Sequence, residues 1–250
     1  MYSYTTEKLE LKHPSGLTVR GIHNVPGGCG KRPAVIICHG FNSCYADQLR
    51  QGAAFAEAGI DSYLFDFCGG GARTTSDGKL SEMMTLDTEC SDLKLMVDYV
   101  RARESTDALF LMGESQGGLI SVMTAQKYPN LFRGLLLWFP ALIIPDASRE
   151  RFLKNDPTVF GIRLSPDFDR LAMQVDPWKA MPDYAGQVLL LHGDCDTVVP
   201  LDVSQKAVKL FPHAKLYIIK GAGHGFGGDN LSFALEKSID MIKESAHVLA

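Results

Sequence analysis

Five short apolar segments, separated by longer mixed stretches, restrict the folds open to this chain more than any other feature. A strand that is apolar at nearly every position is buried on both faces, as strands are in a parallel sheet covered by helices. These segments therefore predict a largely parallel central sheet. They are residues 34–38, 62–65, 108–112, 135–138 and 188–191.

Helical patterns occupy the stretches between the apolar segments. The clearest covers residues 86–101, where Leu86, Leu93, Val97 and Val100 recur at near-helical spacing among charged residues. Strands that alternate with helices are typical of βαβ crossovers, so the sequence predicts a doubly wound α/β sheet. The other helical patterns cover residues 48–58, 115–127, 202–211 and 231–244.

The amino-terminal segment follows a different pattern. Polar and apolar residues alternate over residues 8–12 and again over 17–23, on either side of Pro14-Ser15-Gly16. Alternation indicates strands with one exposed face, and the Pro-Gly sequence between them indicates a turn. We expect an antiparallel hairpin here.

The length of 250 residues fits one domain, because a single core can grow to roughly 250–300 residues. The alternation breaks once, at about residues 140–182, a segment rich in Pro, Asp, Arg and isolated aromatic residues. A structureless loop of that length is uncommon in a compact domain. We therefore expect a single domain over residues 1–250, with an inserted cap at about 140–182 that covers the carboxyl ends of the strands.

Charge and hydropathy exclude several partners. The net charge is −4, and the Lys and Arg residues are scattered, so nucleic acid is not an expected partner. The longest apolar stretch, residues 135–144, is interrupted by Pro140 and is only half of the ~20 residues that span a membrane, so membrane insertion is not expected. The first residues lack the features of a signal peptide, which makes the cytoplasm the default expectation. The sequence leaves a homodimer open as the assembly.

The cysteines favour reduced thiols over a metal site. They form no C-x-x-C pair and have no histidines at zinc-finger spacing. We expect neither a metal nor an organic cofactor. The cysteines are at positions 29, 38, 44, 68, 90 and 195.

The strongest local motif is Gly113-Glu114-Ser115-Gln116-Gly117-Gly118, a G-x-S-x-G match between an apolar strand and a helical pattern. That context is required of a nucleophile elbow, in which a sharp turn exposes the serine oxygen at the edge of the sheet. The alternative is a glycine-rich turn with an incidental serine. The pentapeptide by itself does not separate the two readings.

A serine hydroxyl needs a base and a group that orients the base, and both are available after later strands. Residues 192–200 follow one strand and contain Asp194 and Asp196, while Gly223-His224-Gly225 follows the next. Asp194 lies closer to the strand end and is better placed to shape the turn, so Asp196 is preferred. The order Ser115, Asp196, His224 is that of a known triad arrangement.

The remaining histidines are assigned structural or solvated positions. His192 is expected to support the turn beside the aspartates, and four others lie at polar or terminal positions where solvent exposure is expected. These four are His13, His23, His213 and His247.

An oxyanion needs two hydrogen-bond donors. One is expected from the amide after the nucleophile, that of Gln116, and the other from the loop His39-Gly40-Phe41 after the first parallel strand, where Phe41 contributes its amide. The alternative is an ordinary β-to-α loop, which would leave one donor.

Two further patterns have simpler explanations. Gly69-Gly70-Gly71 follows a strand, but no phosphate-loop motif is present, so a flexible rim loop is expected. Acidic residues on the helical pattern at 86–101 are expected on a solvated face rather than in a metal site. They are Asp87, Glu89, Asp92 and Asp98.

With these motifs in place, the whole chain resembles the α/β-hydrolase superfamily, and more narrowly bacterial cinnamoyl or feruloyl esterases. The resemblance implies a triad of Ser115, Asp196 and His224, an oxyanion hole from Phe41 and Gln116, and an insert that shapes an aromatic acyl pocket. It rests on HGF at 39–41, FDFCGGG at 65–71, GESQGG at 113–118, HGDCDTVVP at 192–200 and GAGHGF at 221–226.

The same resemblance implies that a polar residue early in the insert meets the phenolic hydroxyl of the substrate, and Asp146 is the similar position here. Trp178 is expected among the aromatic residues that form the pocket wall, the alternative for each being simple packing within the cap. Phe152, Phe160, Phe168 and Met173 are the other wall candidates.

The sequence thus predicts a serine esterase that cleaves small-molecule esters of hydroxycinnamoyl type through an acyl-enzyme on Ser115. The alternatives are a general short-chain carboxylesterase, a monoacylglycerol lipase, a small serine peptidase, and a ligand-binding protein on an inactive hydrolase fold. A dienelactone-type hydrolase is disfavoured because its nucleophile would be a cysteine.

Overall fold

The computed structural model describes residues 1–28 and 30–246, so that Cys29 and His247 lie outside the described residues. In this described part of the chain, eight strands form one sheet, in the order β1-β2-β4-β3-β5-β6-β9-β10, and β7 and β8 form a separate two-stranded sheet. The strands are β1 (Tyr4–Lys12), β2 (Thr18–Pro26), β3 (Arg32–Cys38), β4 (Asp61–Phe65), β5 (Thr106–Glu114), β6 (Gly134–Trp138), β7 (Thr158–Val159), β8 (Ile162–Arg163), β9 (Gln187–Gly193) and β10 (Ala214–Ile219).

Six neighbouring strands of the large sheet, from β4 to β10, run parallel, whereas β1 and β2 are antiparallel to their neighbours. Every residue of β4 and β6 is buried, as the continuous apolar segments predict. In β1, by contrast, only Leu9 is fully buried, because this edge strand has a solvated face. The predicted fold class, a mostly parallel doubly wound sheet with an amino-terminal antiparallel hairpin, is confirmed.

Within residues 1–28 and 30–246 there are eight α-helices, of which the last follows the final strand. They are α1 (Leu49–Glu57), α2 (Leu80–Met83), α3 (Leu86–Arg101), α4 (Gln116–Lys127), α5 (Ile144–Lys154), α6 (Phe168–Ala172), α7 (Leu201–Leu210) and α8 (Gly228–Ala246). Two short 3₁₀ turns cover Tyr45–Gln48 and Met181–Asp183. No helix within residues 1–28 and 30–246 is both long and apolar enough to cross a membrane.

The start of α3 is fixed by its own sequence. The hydroxyl of Thr85 accepts a hydrogen bond from the amide of Thr88 at 3.1 Å, and the hydroxyl of Thr88 accepts one from the amide of Thr85 at 2.9 Å. This reciprocal capping satisfies two amides that a helix end otherwise leaves without partners. The first turns of α3 are therefore held in place beneath the nucleophile loop.

Between β6 and β9 the chain forms α5, the β7–β8 hairpin and α6, so the segment expected to be structured does contain regular elements. We call residues 140–182 the insert. It adds to the main core through Leu142, Leu164 and Phe168, each almost fully buried. The insert thus shares the core of the sheet.

One prediction about the histidines is wrong. His23 is buried, with 1% of its surface exposed, and its Nε2 lies 2.6 Å from Oδ1 of Asp61. The same aspartate accepts a hydrogen bond from Nε of Arg32 at 2.6 Å. His23 stands on β2, which pairs with β4 and is an interior strand, so its polar character does not place it in solvent.

Candidate active site

Ser115 stands at a sharp turn between β5 and α4. Its backbone has φ 53° and ψ −118°, outside the regions that residues with side chains normally occupy. A Cβ on Gly113 would lie 2.2 Å from the carbonyl oxygen of Gly117, and one on Gly117 would lie 2.2 Å from that of Cys38. Only glycine fits at both positions, and the loop that follows β3 can therefore approach the serine.

Neighbouring strands hold this turn from below. The amide of Ser115 donates to the carbonyl of Trp138 at 3.1 Å, and the amide of Ala141 donates to the carbonyl of Ser115 at 2.9 Å. Both partners belong to β6 or the segment that follows it. The unusual backbone of Ser115 is thus fixed by hydrogen bonds as well as by packing.

The side chains of Ser115, Asp196 and His224, which the sequence predicts as a triad, lie close together in the structure. Nε2 of His224 lies 3.0 Å from Oγ of Ser115, and Nδ1 of the same ring lies 2.8 Å from Oδ2 of Asp196. These residues follow β5, β9 and β10, whose carboxyl ends lie at one edge of the sheet. The arrangement can move a proton from the serine to the histidine while the aspartate holds the ring.

The carboxylate of Asp196 is fully buried and strongly hydrogen-bonded. Its Oδ1 accepts from the amides of Val198 at 2.8 Å and Val199 at 2.9 Å. Burial opposes the charge, but the hydrogen bonds from His224 and from these two amides outweigh it, and the pKa of Asp196 is lowered below its ordinary value. The group is therefore ionised at neutral pH and can stabilise a positively charged imidazole.

Two neighbours of Asp196 support the turn on which it stands. Asp194 Oδ1 accepts from the amide of Gly221 at 2.6 Å and so ties the β9 loop to the β10 loop. Nε2 of His192 lies 2.9 Å from the carbonyl of Val199, and its Nδ1 lies 2.7 Å from the hydroxyl of Ser204. Desolvation lowers the pKa of His192, which keeps the ring neutral beside the buried carboxylate.

An aromatic residue that sequence reasoning missed lies against the histidine. The ring of Phe139 meets that of His224 edge to face at 4.8 Å, and it also contacts Phe226 at 5.0 Å. Phe139 directly follows β6 and has φ 37°, a strained value for a bulky residue. The sequence could have identified Phe139 as a site residue, because it comes directly after a strand predicted to be parallel.

The amides expected to hold an oxyanion lie on the two loops that meet at Ser115. A Cβ on Gly40 would come within 3.3 Å of Cβ of Ser115, so the loop that carries Phe41 passes directly over the nucleophile. Within residues 1–28 and 30–246, neither the Phe41 amide nor the Gln116 amide donates a hydrogen bond to a protein acceptor.

The acidic residues of α3 do not all lie on a solvated face, and that expectation is wrong for two of them. Glu89 and Asp92 are 1% and 3% exposed. Oε2 of Glu89 accepts from Nε2 of Gln116 at 2.7 Å, and Oδ2 of Asp92 accepts from the amide of Cys68 at 2.7 Å. Their positions match the spacing of the apolar residues of α3, so the helical period itself placed them on the buried face.

The segment at 69–71 is packed, not the flexible rim loop that was expected. All three glycines are buried. A Cβ on Gly70 would lie 2.8 Å from Cβ of Phe67, and one on Gly71 would lie 2.7 Å from the carbonyl oxygen of Ser43. At these two positions neighbouring atoms lie too close for a side chain.

A cavity of about 260 Å³ opens beside Ser115. Its floor is formed by the nucleophile region and its walls by the insert, and the lining is mostly apolar. The residues that line it are Phe41, Ser115, Gln116, Ala141, Ile143, Ile144, Ala147, Arg151, Thr158, Val159, Phe160, Leu164, Phe168, Val198 and Val199.

The charged residue in this lining, Arg151, is neutralised within the insert. Its guanidinium donates to Oδ1 of Asp169 at 2.6 Å from one nitrogen and 3.1 Å from another, and to the hydroxyl of Ser148 at 2.8 Å. These nitrogens of Arg151 are already hydrogen-bonded within the protein, and Asp169 balances the charge of the guanidinium. The cavity therefore presents little unpaired charge to a ligand.

The two residues carried over from the resemblance are not brought to the cavity. The side chain of Asp146 is 74% exposed and forms an ion pair with Arg149 at 3.0 Å, because the first turn of α5 points it to solvent. Trp178 packs against the main core, and Nζ of Lys206 lies above its ring, 3.7 Å from the ring centre. Neither residue supports a substrate contact, whereas Phe160 and Phe168 do line the cavity.

Among the residues that the structure describes, no group of three or more His, Cys, Asp or Glu side chains could hold a metal ion. The described cysteines are all free thiols: Cys38, Cys44, Cys68, Cys90 and Cys195.

Comparison with solved structures gives many relatives of similar architecture. Est1E from Butyrivibrio proteoclasticus is 23% identical, with a TM-score of 0.84 over 95% of this chain and 98% of that chain. A second structure, ferulic acid bound to Est1E, is 24% identical with a TM-score of 0.80, over 94% of this chain and 96% of that one. Alpha/beta hydrolase domain-containing protein 10 from mouse is 19% identical, with a TM-score of 0.78 over 95% and 99% of the two chains. These likenesses show the fold.

No curated protein sequence matches the chain. A hydrolase family model described as "Serine aminopeptidase, S33" matches residues 30–156, just over half of the chain. The matched segment runs from the start of β3 through the loop of Phe41 and the turn of Ser115 to α5. The chain is thus a hydrolase with the α/β-hydrolase fold, and it belongs to the serine aminopeptidase S33 family.

Proposed function

We propose that this hydrolase is a serine carboxylic-ester hydrolase that forms an acyl-enzyme on Ser115 and acts on esters of hydroxycinnamoyl type. The observation that carries the proposal is the continuous contact from Ser115 to His224 to Asp196, at 3.0 Å and 2.8 Å. Both distances are within hydrogen-bond reach in the absence of a substrate.

In the proposed reaction, His224 removes the proton of Ser115 as its oxygen attacks the ester carbonyl. The amides of Phe41 and Gln116 hold the oxyanion of the tetrahedral intermediate. His224 then protonates the departing alcohol, which leaves the acyl group on Ser115, and afterwards activates water to hydrolyse the acyl-enzyme. Asp196 keeps the imidazole in the required tautomer and stabilises its positive charge.

The cavity supports an apolar, flat acyl group. At about 260 Å³ it lies just below the roughly 300 Å³ at which common small-molecule pockets begin. Phe41, Phe160 and Phe168 give it aromatic walls, which favour an aromatic ring over a flexible chain. Est1E, which has a similar fold, has been solved with ferulic acid bound, and this supports the same substrate class.

The family description makes an aminopeptidase the second candidate. A peptidase of that kind must bind a protonated α-amino group, which needs a carboxylate or several free acceptors close to the scissile bond. Among the described residues that line the cavity none is acidic, and the charged one is Arg151. The lining therefore favours an ester of an uncharged acyl group.

The nucleophile is tested by Ser115→Ala together with a fluorophosphonate probe. The wild-type protein should label at Ser115, and Ser115→Ala should lower kcat/KM for esters by roughly 10³-fold or more, with unfolding unchanged. An unlabelled but folded wild-type protein would support a ligand-binding protein on an inactive hydrolase fold.

Specificity is tested by comparing kcat/KM for methyl ferulate, a butyrate ester, a monoacylglycerol and an aminoacyl amide. Methyl ferulate should be the best substrate. Preference for the butyrate ester, the monoacylglycerol or the amide would instead favour a general short-chain esterase, a monoacylglycerol lipase or a small peptidase.

The cavity itself is tested by Ala147→Phe, with Ala147→Ser as the matched control. Ala147 lines the cavity, so a phenyl ring there should reduce its volume. We expect kcat/KM for methyl ferulate to fall about tenfold while that for an acetate ester changes little, because only the larger acyl group needs the space. Equal losses on both esters would place the ferulate ring elsewhere.

A further inference from the structure

Two buried carboxyl groups lie on α3 beneath the nucleophile loop, and the triad chemistry does not use them. Glu89 and Asp92 are one helical turn apart, so their side chains share a face. Each makes a hydrogen bond to a loop near the site, Glu89 to Gln116 and Asp92 to the amide of Cys68. Buried acids are uncommon, and each needs a physical explanation.

Glu89 is connected to the proposed oxyanion hole through one side chain. Nε2 of Gln116 donates to Oε2 of Glu89 at 2.7 Å and lies 3.8 Å from Sδ of Met84. Gln116 is itself 3% exposed, and its backbone amide is one of the two proposed oxyanion donors. The side chain that begins α4 is therefore anchored to α3, whose first turn is fixed by its own cap.

The anchor also reaches the insert. The carbonyl of Met84 accepts a hydrogen bond from the hydroxyl of Ser165, which lies between β8 and α6. Met84 is fully buried, directly before the cap of α3. The residues around Glu89 thus join the nucleophile loop, the start of α3 and the insert that lines the cavity.

We propose that Glu89 is a positioning residue: its buried carboxyl group accepts the hydrogen bond from the side chain of Gln116 and so fixes the backbone amide of Gln116 that binds the oxyanion. This inference rests on the proposed esterase function. Glu89 has no contact with the reacting atoms, and its effect on the reaction passes through Gln116.

The surroundings of Glu89 keep its carboxyl group protonated at neutral pH. Burial raises the pKa of Glu89 to about 8; the hydrogen bond from Gln116 lowers it, and the charge of Asp92 raises it. The pKa of Asp92 is also raised by burial, to about 7. Three thiols also interact with these carboxyl groups, those of Cys38 on β3, Cys68 after β4 and Cys90 on α3, and burial raises the pKa of each of them.

Protonation matters because the reaction develops negative charge at the oxyanion. An uncharged carboxyl group accepts the hydrogen bond from Gln116 without opposing that charge. Ionised Glu89 would place a second negative charge on the side chain of the residue whose backbone amide binds the oxyanion, in surroundings of low dielectric where repulsion is strong. Ester turnover should therefore fall as the pH rises through the pKa of Glu89.

The test compares kcat and KM of three variants with those of the wild-type protein from about pH 6 to about pH 10. The wild-type kcat should fall about tenfold or more above about pH 8. In Glu89→Gln the side-chain oxygen of the new glutamine can still accept the hydrogen bond from Gln116, but this side chain cannot ionise. The alkaline decline of kcat should therefore disappear. Asp92→Asn, the matched control, should move the decline to lower pH, because the charge that raises the pKa of Glu89 is gone.

The third variant, Glu89→Leu, removes the hydrogen bond at every pH. It should lower kcat about tenfold at neutral pH with little change in KM, because the loss concerns a group needed in the transition state. A purely structural role would change stability but would not abolish the alkaline decline in Glu89→Gln or shift it in Asp92→Asn. If Glu89→Leu does not fold, the other two profiles decide.

The possible outcomes separate the inference from the proposed function. A wild-type protein that neither hydrolyses esters nor labels at Ser115 contradicts the proposed function. An active wild-type protein whose alkaline decline is absent, or persists unchanged in Glu89→Gln, contradicts the role of Glu89 alone. Loss of the decline in Glu89→Gln together with its shift in Asp92→Asn supports it.

Discussion

Ser115 and Phe160 both have a positive φ angle, yet they stand in opposite surroundings. Their φ angles are 53° and 50°, a region that residues with side chains seldom enter. Ser115 lies at the turn between β5 and α4 and is enclosed by backbone. Phe160 lies at the tip of the β7–β8 hairpin, with 74% of its surface exposed. Both line the cavity, so strain occurs at its floor and at its rim.

The two sites differ in what holds the strain. Around Ser115, glycines at 113 and 117 let backbone atoms approach to distances at which no side chain fits. Around Phe160, the next residue, Gly161, also has a positive φ of 75°, as both central residues of a type I′ turn do. Apart from Gly161 and its two chain neighbours, no atom of the described residues lies within 4 Å of the place where a Cβ on Gly161 would be. Packing and hydrogen bonds therefore fix the reactive geometry, while a turn and one aromatic contact with Phe41 hold the rim.

The strongest test of this contrast is Gly117→Ala. The new Cβ would lie 2.2 Å from the carbonyl oxygen of Cys38 and 2.5 Å from that of His39, and neither backbone atom can move without displacing β3. We expect a loss of about 3 kcal/mol or more in the free energy of unfolding, and almost complete loss of ester hydrolysis. Chemical denaturation and steady-state kinetics measure the two effects. A stable, active variant would show that packing does not hold the turn.

The strain at Ser115 itself is measured by comparing Ser115→Gly with Ser115→Ala. Both remove the nucleophile, so the two variants differ only in their tolerance of a positive φ. Glycine should be the more stable by about 1 kcal/mol, after its greater entropy in the unfolded chain is counted. Equal free energies of unfolding would mean that the surrounding hydrogen bonds relieve the strain completely.

The same contrast explains what the sequence could predict. Local patterns predict the strands of the parallel sheet, the hairpin at the amino terminus and the turn at Ser115. Strands that are buried on both faces consist almost entirely of apolar residues, and a close approach of two backbone segments requires glycine. The order of Ser115, Asp196 and His224 along the chain follows as well, since each residue comes after a strand whose carboxyl end must reach the same edge of the sheet.

The sequence predicts the insert less well than the sheet. Asp146 and Trp178 were placed by resemblance, and the direction of a side chain on a short helix or loop depends on packing that no period records. Glu89 is a different case, because it lies three residues after Leu86 and four before Leu93, on the apolar face of α3. Following the helical period through the acidic residues would have identified it.

At the rim, Phe160→Asn should change selectivity more than stability. Asparagine tolerates a positive φ, but the substitution removes the aromatic contact with Phe41, whose ring centre lies 6.4 Å away. The two effects oppose each other, so the free energy of unfolding should stay within about 1 kcal/mol of wild type. kcat/KM for methyl ferulate should fall about fivefold, with little change for a butyrate ester.

Phe152→Asn is the matched control for that variant. Phe152 is also an exposed aromatic residue of the insert, but it lies on α5 and does not line the cavity. It should leave the ratio of the two kcat/KM values unchanged. If both variants lowered that ratio equally, the effect would come from the surface of the insert and not from the rim of the cavity.

The smallest effect is expected from Gly161→Ala, the counterpart of Gly117→Ala at the rim. Here the new Cβ has open space, and only the positive φ of 75° opposes it. The free energy of unfolding should decrease by about 1 kcal/mol, and kcat should stay within about twofold of wild type. The same glycine-to-alanine change would then differ several-fold in its effect on stability between the turn that contains Ser115 and the turn that contains Phe160. A loss as large as that of Gly117→Ala would mean that the hairpin, despite its exposure, is held as firmly as the turn of Ser115.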